Sequence, residues 1–436
     1  MTKSTQTESL VGQIFEIEVG PIAHGGHCVA RIGGDHGRVV FVRHTYPGEV
    51  VRVLVTEDGG KSFCRADAIA VLRAAPERIE PACPFAGPGR CGGCDWQHVE
   101  PAAQRGLKQA VVIEQLHRLS GLAGDPVVDD LVVQELPGGP LGWRLRTRYA
   151  VAPGGRVGFH RHRSNQVEII GHCPISAPDV GDAPELAEKW GGASGLEITT
   201  NGAERSVLVH RPIPVTHAVR AARAKAPRRR QERPQERVQL VSGPASLTRR
   251  VNGHAFTVAA AGFWQGHTAA AAAYTETVLA LLAPQPGETV ADLYAGAGLF
   301  SVPLAAAVGT TGRVVAIEGD RRATEDATHN LADYPWAEIR RSPVTAAVVV
   351  EIGTVDLVVL DPPRTGAGRE VMGAILASGA RAVAYVACDP AAFARDVRTA
   401  LDAGWVLAAL QAFDAYPMTH HVECIGVLVP RVPHVS

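Results

Sequence analysis

A chain of 436 residues has material for two or three domains, and 46% hydrophobic with 20% charged residues is the balance of a soluble globular protein. Basic and acidic residues number 43 and 44, a net charge of −1 that neither excludes nor requires a polyanionic partner, because a balanced total can hide a basic face. The polar opening MTKSTQTESL has no apolar h-region, no run nears the roughly 18 apolar residues of a membrane span, and eight cysteines are few for a disulfide scaffold in a chain this long; a cytoplasmic chain with reduced thiols is expected.

The first segment reads as strands. VGQIFEIEV, CVARI, GRVVFVR and EVVRVLVTE run apolar or alternate, separated by HGGH, GGDHG and YPG, the punctuation of tight turns. Residues 1–75 therefore predict a small OB-like β-barrel, a fold that commonly binds oligonucleotides on one face. A purely structural β-domain is the alternative.

Residues 76–250 predict a mixed α+β region. A cysteine loop, CPFAGPGRCGGC (83–94), leads into AAQRGLKQAVVIEQLHRLSG, a helical pattern ending at Gly121. RLRTRYAVA, GRVGFHR and NQVEIIGHC are strand-like. VRAARAKAPRRRQERPQERVQ (219–239) is rich in Arg and Lys with two prolines, the composition of a solvated linker; a phosphate-contacting arm is its functional reading. Cys83, Cys91, Cys94 and Cys173 offer four thiols but one CxxC pair, where a zinc ribbon would usually show two. Proline follows Cys83 and Cys173, as in ferredoxin-type ligation; a metal centre, unliganded thiols and a redox pair all remain open.

From 251 to 436, strand and helix alternate. ETVADLYA, GRVVAIEG, VDLVVLDP and RAVAYVAC are near-continuous apolar strands, with LFSVPLAAAVG, ATEDATHNLAD and AAFARDVRTALDAG helical between them: a doubly wound α/β domain. WVLAALQAFDAY and VECIGVLVP leave no room for a helix between them and predict a final antiparallel pair.

Candidate site residues fall at the strand ends. DLYAGAG (292–298) follows a strand and opens a helix, so Gly296 and Gly298 let backbone amides approach a ligand. Glu318 in IEGD, with Asp320 close behind, lies about 20 residues on, where a carboxylate can accept both hydroxyls of a ribose. Ser301 stands where a dinucleotide fingerprint has its third glycine, which argues against a nicotinamide cofactor. Asp361 in LDPPRTGAG lies at the carboxyl edge of the fourth strand, its backbone fixed by the following prolines. Amine-alkylating enzymes commonly place an aromatic after those prolines; Arg364 is there instead.

Cys388 in AYVACDP ends the next strand in the same crevice, the place of a nucleophile, with inert thiol as the alternative. A thiolate added to carbon 6 of a uracil makes carbon 5 an enolate carbon able to attack a methyl sulfonium. A base must then remove the carbon-5 proton. Glu423 in MTHHVECIG is the candidate base, with His420 and His421 as alternatives.

These segments resemble the S-adenosylmethionine-dependent RNA uridine-5-methyltransferases. FWQG (263–266), DLYAGAGLFSVPLA, AIEGD, LDPPRTGAG, YVACDPAAFARD and HHVECIGVL stand in that family's order and spacing over nearly the whole chain. The resemblance implies a class I methyltransferase fold for 251–436, with Gln265, Tyr294, Glu318 and Asp361 binding S-adenosyl-L-methionine. It implies that Cys388 is the nucleophile, that Glu423 is the base, and that residues 1–75 form the RNA-binding barrel called TRAM. It further implies a [4Fe–4S] cluster on Cys83, Cys91, Cys94 and Cys173, carried by members that modify ribosomal RNA and commonly absent from bacterial members acting on the tRNA T-loop. The expected partner is therefore RNA, 23S rRNA ahead of tRNA, with the enzyme a monomer; a non-catalytic RNA-binding iron–sulfur redox sensor is the alternative of another class. Asp389 stands where members often have asparagine, and RRSPV (340–344) lacks the acidic residue that often follows the third strand.

Overall fold

In the computed structural model, which describes residues 9–34, 36–60, 63–214 and 235–431, six strands build the N-terminal barrel. Ile14–Glu18 pairs with Val50–Asp58, which pairs with Phe63–Arg73; Arg38–Arg43, His27–Ile32 and Ile22–Ala23 complete the order. Alternation decides what faces inward: Val51, Val53 and Val55 are buried while Arg52 between them is exposed. Cys28 and Cys64 fill the same small core as Val40, Val42 and Ala66.

The central sheet is antiparallel, in the order Val167–Ile169, Val157–His160, Arg146–Val151, Gly195–Thr200, Arg205–Pro212, Glu236–Ser242. Tyr149, Val157, Leu196, Ile198 and Val207 form its core. Residues 219–234 of the basic segment lie outside the described residues. Its last residues, 236–239, are not linker: they begin the edge strand Glu236–Ser242. The hairpin Ser246–Val251/His254–Ala259 leads on to the α/β layers.

The C-terminal sheet has eight strands, in the order Ala337–Arg341, Arg313–Glu318, Thr289–Leu293, Leu357–Leu360, Ala382–Ala387, Glu423–Pro430, Trp405–Asp414, Val133–Glu135. The first five run parallel, and Glu423–Pro430 is antiparallel to both its neighbours, as the missing helix between the last two strands predicts. Helices Ala270–Leu282 and Ser301–Val308 cover one face; Arg369–Leu376 and Pro390–Asp402 cover the other.

Residues 101–135 join this sheet in space although they precede the central sheet in the chain. Helix Pro101–Gln115 runs into a π turn, Leu116–Ser120, and stops at Gly121, whose φ of 78° is the left-handed conformation glycine adopts freely. Val112 and Leu116 pack against the layer that holds Phe393 and Val397, each such burial contributing about 1.5–3 kcal/mol. Val133–Glu135 then adds a parallel edge strand beside Trp405–Asp414. Among the described residues no helix is long and apolar enough to cross a membrane.

Candidate active site

The parallel strands end in register. Leu293 pairs with Ile317 on one side and Leu360 on the other, and Leu360 with Tyr385, so the residues that follow line one edge of the sheet. Tyr294 takes a φ of 64°, an uncommon conformation for a non-glycine residue and one that turns the chain sharply into the glycine loop. The amide of Gly296 donates to Glu318 Oε2 at 2.9 Å, and Asp320 N–H to Glu318 Oε1 at 2.7 Å, so the loop closes on that carboxylate. Ser301 has a structural use: its hydroxyl donates to the buried Asp292 at 2.5 Å. Burial pushes the Asp292 carboxyl up to about 7, against the Ser301 hydrogen bond.

Antiparallel register brings the other candidates together. Val386 faces Ile425 and Ala387 faces Cys424, so Cys388 and Glu423 come next at adjoining strand ends. Glu423 is buried and accepts from the Tyr416 hydroxyl at 3.3 Å; Asp361 accepts from Gln265 Nε2 at 3.3 Å. Burial raises both carboxyls, and the charge of Asp361 raises Glu423 further. The Cys388 thiol is pushed up to about 12, first by burial and then by Glu423, Asp361 and Asp389, with Arg364 opposing. A pocket of about 100 Å³ opens at this thiol, lined by His24, Arg364, Asp389, His420 and His421 among others. Asp361 and Glu423 thus lie near enough to Cys388 to act on its thiol, with Gln265 hydrogen-bonded to Asp361, while Gly296, two strands along the sheet, is hydrogen-bonded to Glu318.

The two histidines are turned to other partners. His420 Nδ1 meets Asp95 at 2.6 Å, and Arg364 donates to His421 Nε2 at 3.3 Å; burial holds His421 down at about 3, so it stays neutral.

Three supports were not singled out by the sequence. Gln104 donates to the carbonyls of Trp96 and Val99 and accepts from Met418 N–H at 2.8 Å. Lys108, fully buried, donates to Asp414 and to the Tyr416 carbonyl at 3.0 Å. Their signal was present as two polar residues one helical turn apart on a buried face that is otherwise apolar up to Gln115 at its end. Asp396 accepts from the Tyr385 hydroxyl at 2.6 Å and from Ala367 N–H at 2.8 Å, holding the loop after Asp361. A Cβ on Gly366 would meet Asp396 Oδ2 at 2.6 Å, and the φ there is 84°.

The cysteine loop lies beside the central sheet, bridged through Cys91 to Arg161. Cys83, Cys91, Cys94 and Cys173 are all free thiols, near enough that a charge on Cys83, Cys91 or Cys173 acts on the Cys94 thiol. Gly93 N–H points at Cys91 Sγ (3.4 Å) and Gln97 Nε2 at Cys94 Sγ (3.6 Å). Among the described residues no group of three His, Cys, Asp or Glu side chains is arranged to hold a metal ion.

A parallel sheet with one antiparallel strand inserted near its edge, and a carboxylate closing the glycine loop, are the architecture of the α/β class of S-adenosylmethionine-dependent methyltransferases. The protein-family comparisons match a TRAM domain at residues 8–66 and tRNA (uracil-5-)-methyltransferase at 346–432. An uncharacterized RNA methyltransferase of Streptomyces avermitilis is 43% identical over 96% of this chain and 99% of its own length. The 23S rRNA (uracil(1939)-C(5))-methyltransferase RlmD of Alkalilimnicola ehrlichii is 33% identical over 95% of this chain and 96% of its own. The crystal structure of Pyrococcus abyssi tRNA (uracil-54, C5)-methyltransferase in complex with S-adenosyl-L-homocysteine superposes with a TM-score of 0.68 at 19% identity, covering 95% of this chain and all of that one, a likeness of fold. The chain belongs to the S-adenosylmethionine-dependent RNA uracil-5-methyltransferases, and its substrate is RNA.

Proposed function

We propose that this enzyme methylates carbon 5 of a uridine in 23S rRNA through a covalent Cys388 adduct. The observation that carries the mechanism is the strand register that sets Cys388 beside Glu423 in a crevice shared with Asp361 and Gln265. S-adenosylmethionine brings an electrophilic methyl group on a sulfonium. Tyr294, Gly296, Gly298 and Glu318 are the residues that would bind it, together with Gln265 and Asp361. The Cys388 sulfur adds to carbon 6 of the uracil, and the electron pair moves to carbon 5 and oxygen 4, giving an enolate. Carbon 5 would take the methyl group as the sulfur–methyl bond of the sulfonium breaks, its electron pair staying on that sulfur, which leaves as a neutral thioether. Glu423, in its carboxylate form, then removes the carbon-5 proton, the carbon 5–carbon 6 double bond re-forms, and the thiolate leaves. A thiol held as high as about 12 is mostly protonated at rest, so the reaction needs positive charge nearby; Arg364 at the pocket mouth is one source.

We further propose that Cys83, Cys91, Cys94 and Cys173 hold a [4Fe–4S] cluster. Four free thiols with N–H···S donors on two of them suit that donor set. The cluster is structural, and no electron transfer enters the reaction. Ribosomal RNA is favoured by the name of the Alkalilimnicola relative, similar over nearly the whole chain; the tRNA reading rests on the name of the family matched at 346–432 and on that of the Pyrococcus structure, whose identity is far lower. Such an enzyme acts in the cytoplasm. Nucleoside analysis of rRNA and tRNA from a deletion strain tests the assignment: 5-methyluridine should be missing from one 23S site, and its loss from tRNA alone would overturn the choice of substrate.

A further inference from the structure

We propose that His24 is a positioning residue of the methyl-transfer site: reaching from the barrel, its imidazole holds the Asp389 carboxylate at 3.3 Å and so links the nucleophile's ionisation to the seating of the barrel. This rests on the reading of Cys388 as nucleophile. His24 follows the short strand Ile22–Ala23, in the turn before His27–Ile32, yet its side chain lines the same pocket as Cys388.

The turn is built to sit there. Gly26, at φ 80°, lies so close to the loop before Glu423 that a Cβ would meet His420 Cβ at 2.7 Å. The buried Trp96 donates its indole N–H to the Gly26 carbonyl at 3.3 Å. Asp95, which accepts from His420, also pairs with Arg43 of the barrel at 3.6 Å.

Asp389 faces two ways. Oδ1 accepts from Ala392 N–H at 2.8 Å, capping helix Pro390–Asp402, and Oδ2 faces His24. Burial alone would raise this carboxyl; the nearby His24 imidazole and the Ala392 N–H hydrogen bond hold it below the usual range. As a carboxylate one residue from the thiol, it opposes the thiolate by its charge. The His24 imidazole, with Nε2 3.3 Å from Oδ2, faces that charge, and it can do so only while the barrel turn is in place. RNA bound on the barrel and loop together would then favour thiolate formation, and asparagine at 389 would need no such partner.

The groups facing the thiol are Glu423, Asp361 and Cys424 from the sheet, Tyr274 and Tyr416 beside Glu423, and Arg364 from the loop; Arg395 acts on Asp389 from the helix, and His420 and His421 line the pocket. The test is the pH profile of Cys388 alkylation by iodoacetamide in the full-length protein, read by mass spectrometry of the Cys388 peptide. Variants are His24→Ala, His24→Gln, Asp389→Asn and both double variants. His24→Ala should slow alkylation at pH 7.5 about three- to tenfold and move the profile to higher pH, up to about one unit. His24→Gln, which keeps an N–H donor, should recover part of the rate. In the Asp389→Asn background either His24 change should alter the rate less than about twofold. An equal His24 effect in both backgrounds, or lost methylation with an unmoved profile, overturns the coupling. Methyl transfer by Cys388→Ala would instead overturn the nucleophile reading on which it rests.

Discussion

Lys108→Met isolates the support under the loop that carries Tyr416. The Lys108 ammonium is wholly buried against Asp414 and also donates to the Tyr416 carbonyl at 3.0 Å. Methionine keeps most of the stem's packing but strands the Asp414 carboxylate, and removing one partner of a buried ion pair costs about 3–5 kcal/mol. The lost hydrogen bond to Tyr416 falls within that figure, because the same group makes both contacts. A loss near 4 kcal/mol is a large share of the roughly 5–15 kcal/mol that holds a domain together. Urea unfolding followed by tryptophan fluorescence should show the midpoint fall with the slope unchanged. Lys108→Met/Asp414→Asn, which removes the stranded charge, should recover more than half of the loss. Because Tyr416 donates to Glu423 at 3.3 Å, the single variant should also slow product release more than adduct formation. A loss under about 1 kcal/mol, or no recovery in the double variant, would refute the reasoning.

Two further outcomes are expected. Glu423→Gln should stall after methyl transfer and leave an RNA–protein adduct visible as a slow band on a denaturing gel; normal release would assign proton removal to water or a histidine. Anaerobically purified protein should be brown with about four irons per chain, and Cys91→Ala or Cys173→Ala should abolish both iron and colour and loosen the central sheet while S-adenosylmethionine affinity holds. Stoichiometric zinc without iron would contradict the cluster.

Most of the architecture was legible in the sequence because local pattern and tertiary role agree. Apolar runs ending in Glu318, Asp361 and Cys388 are strands of one parallel sheet, and a sheet places the ends of its strands along one edge. The absent helix between the last two strands carried more than topology: antiparallel pairing sets Glu423 at the end where Cys388 emerges. What was not legible depends on partners distant in the chain. The apolar face of helix Pro101–Gln115 shows that the helix is covered but not that Pro390–Asp402 covers it. The Asp292–Ser301 contact turns an apparent gap in a glycine fingerprint into a loop anchor, and only the fold brings the two together. His24 reads as a turn residue between strands; its approach to Asp389 is set by how the barrel seats on the α/β layers.

The central claim is that Cys388 attacks uracil, and trapping with 5-fluorouridine RNA tests it most directly. Fluorine replaces the proton that the base must remove, so methylation should end in a stable adduct. Wild-type protein incubated with S-adenosylmethionine and the fluorinated RNA should give a band that survives denaturation, and peptide mapping should find the nucleotide on Cys388. Cys388→Ala should bind the cofactor and give no band. A nucleotide mapped to any other residue, or 5-methyluridine formed by Cys388→Ala at a substantial fraction of the wild-type rate, would contradict the account.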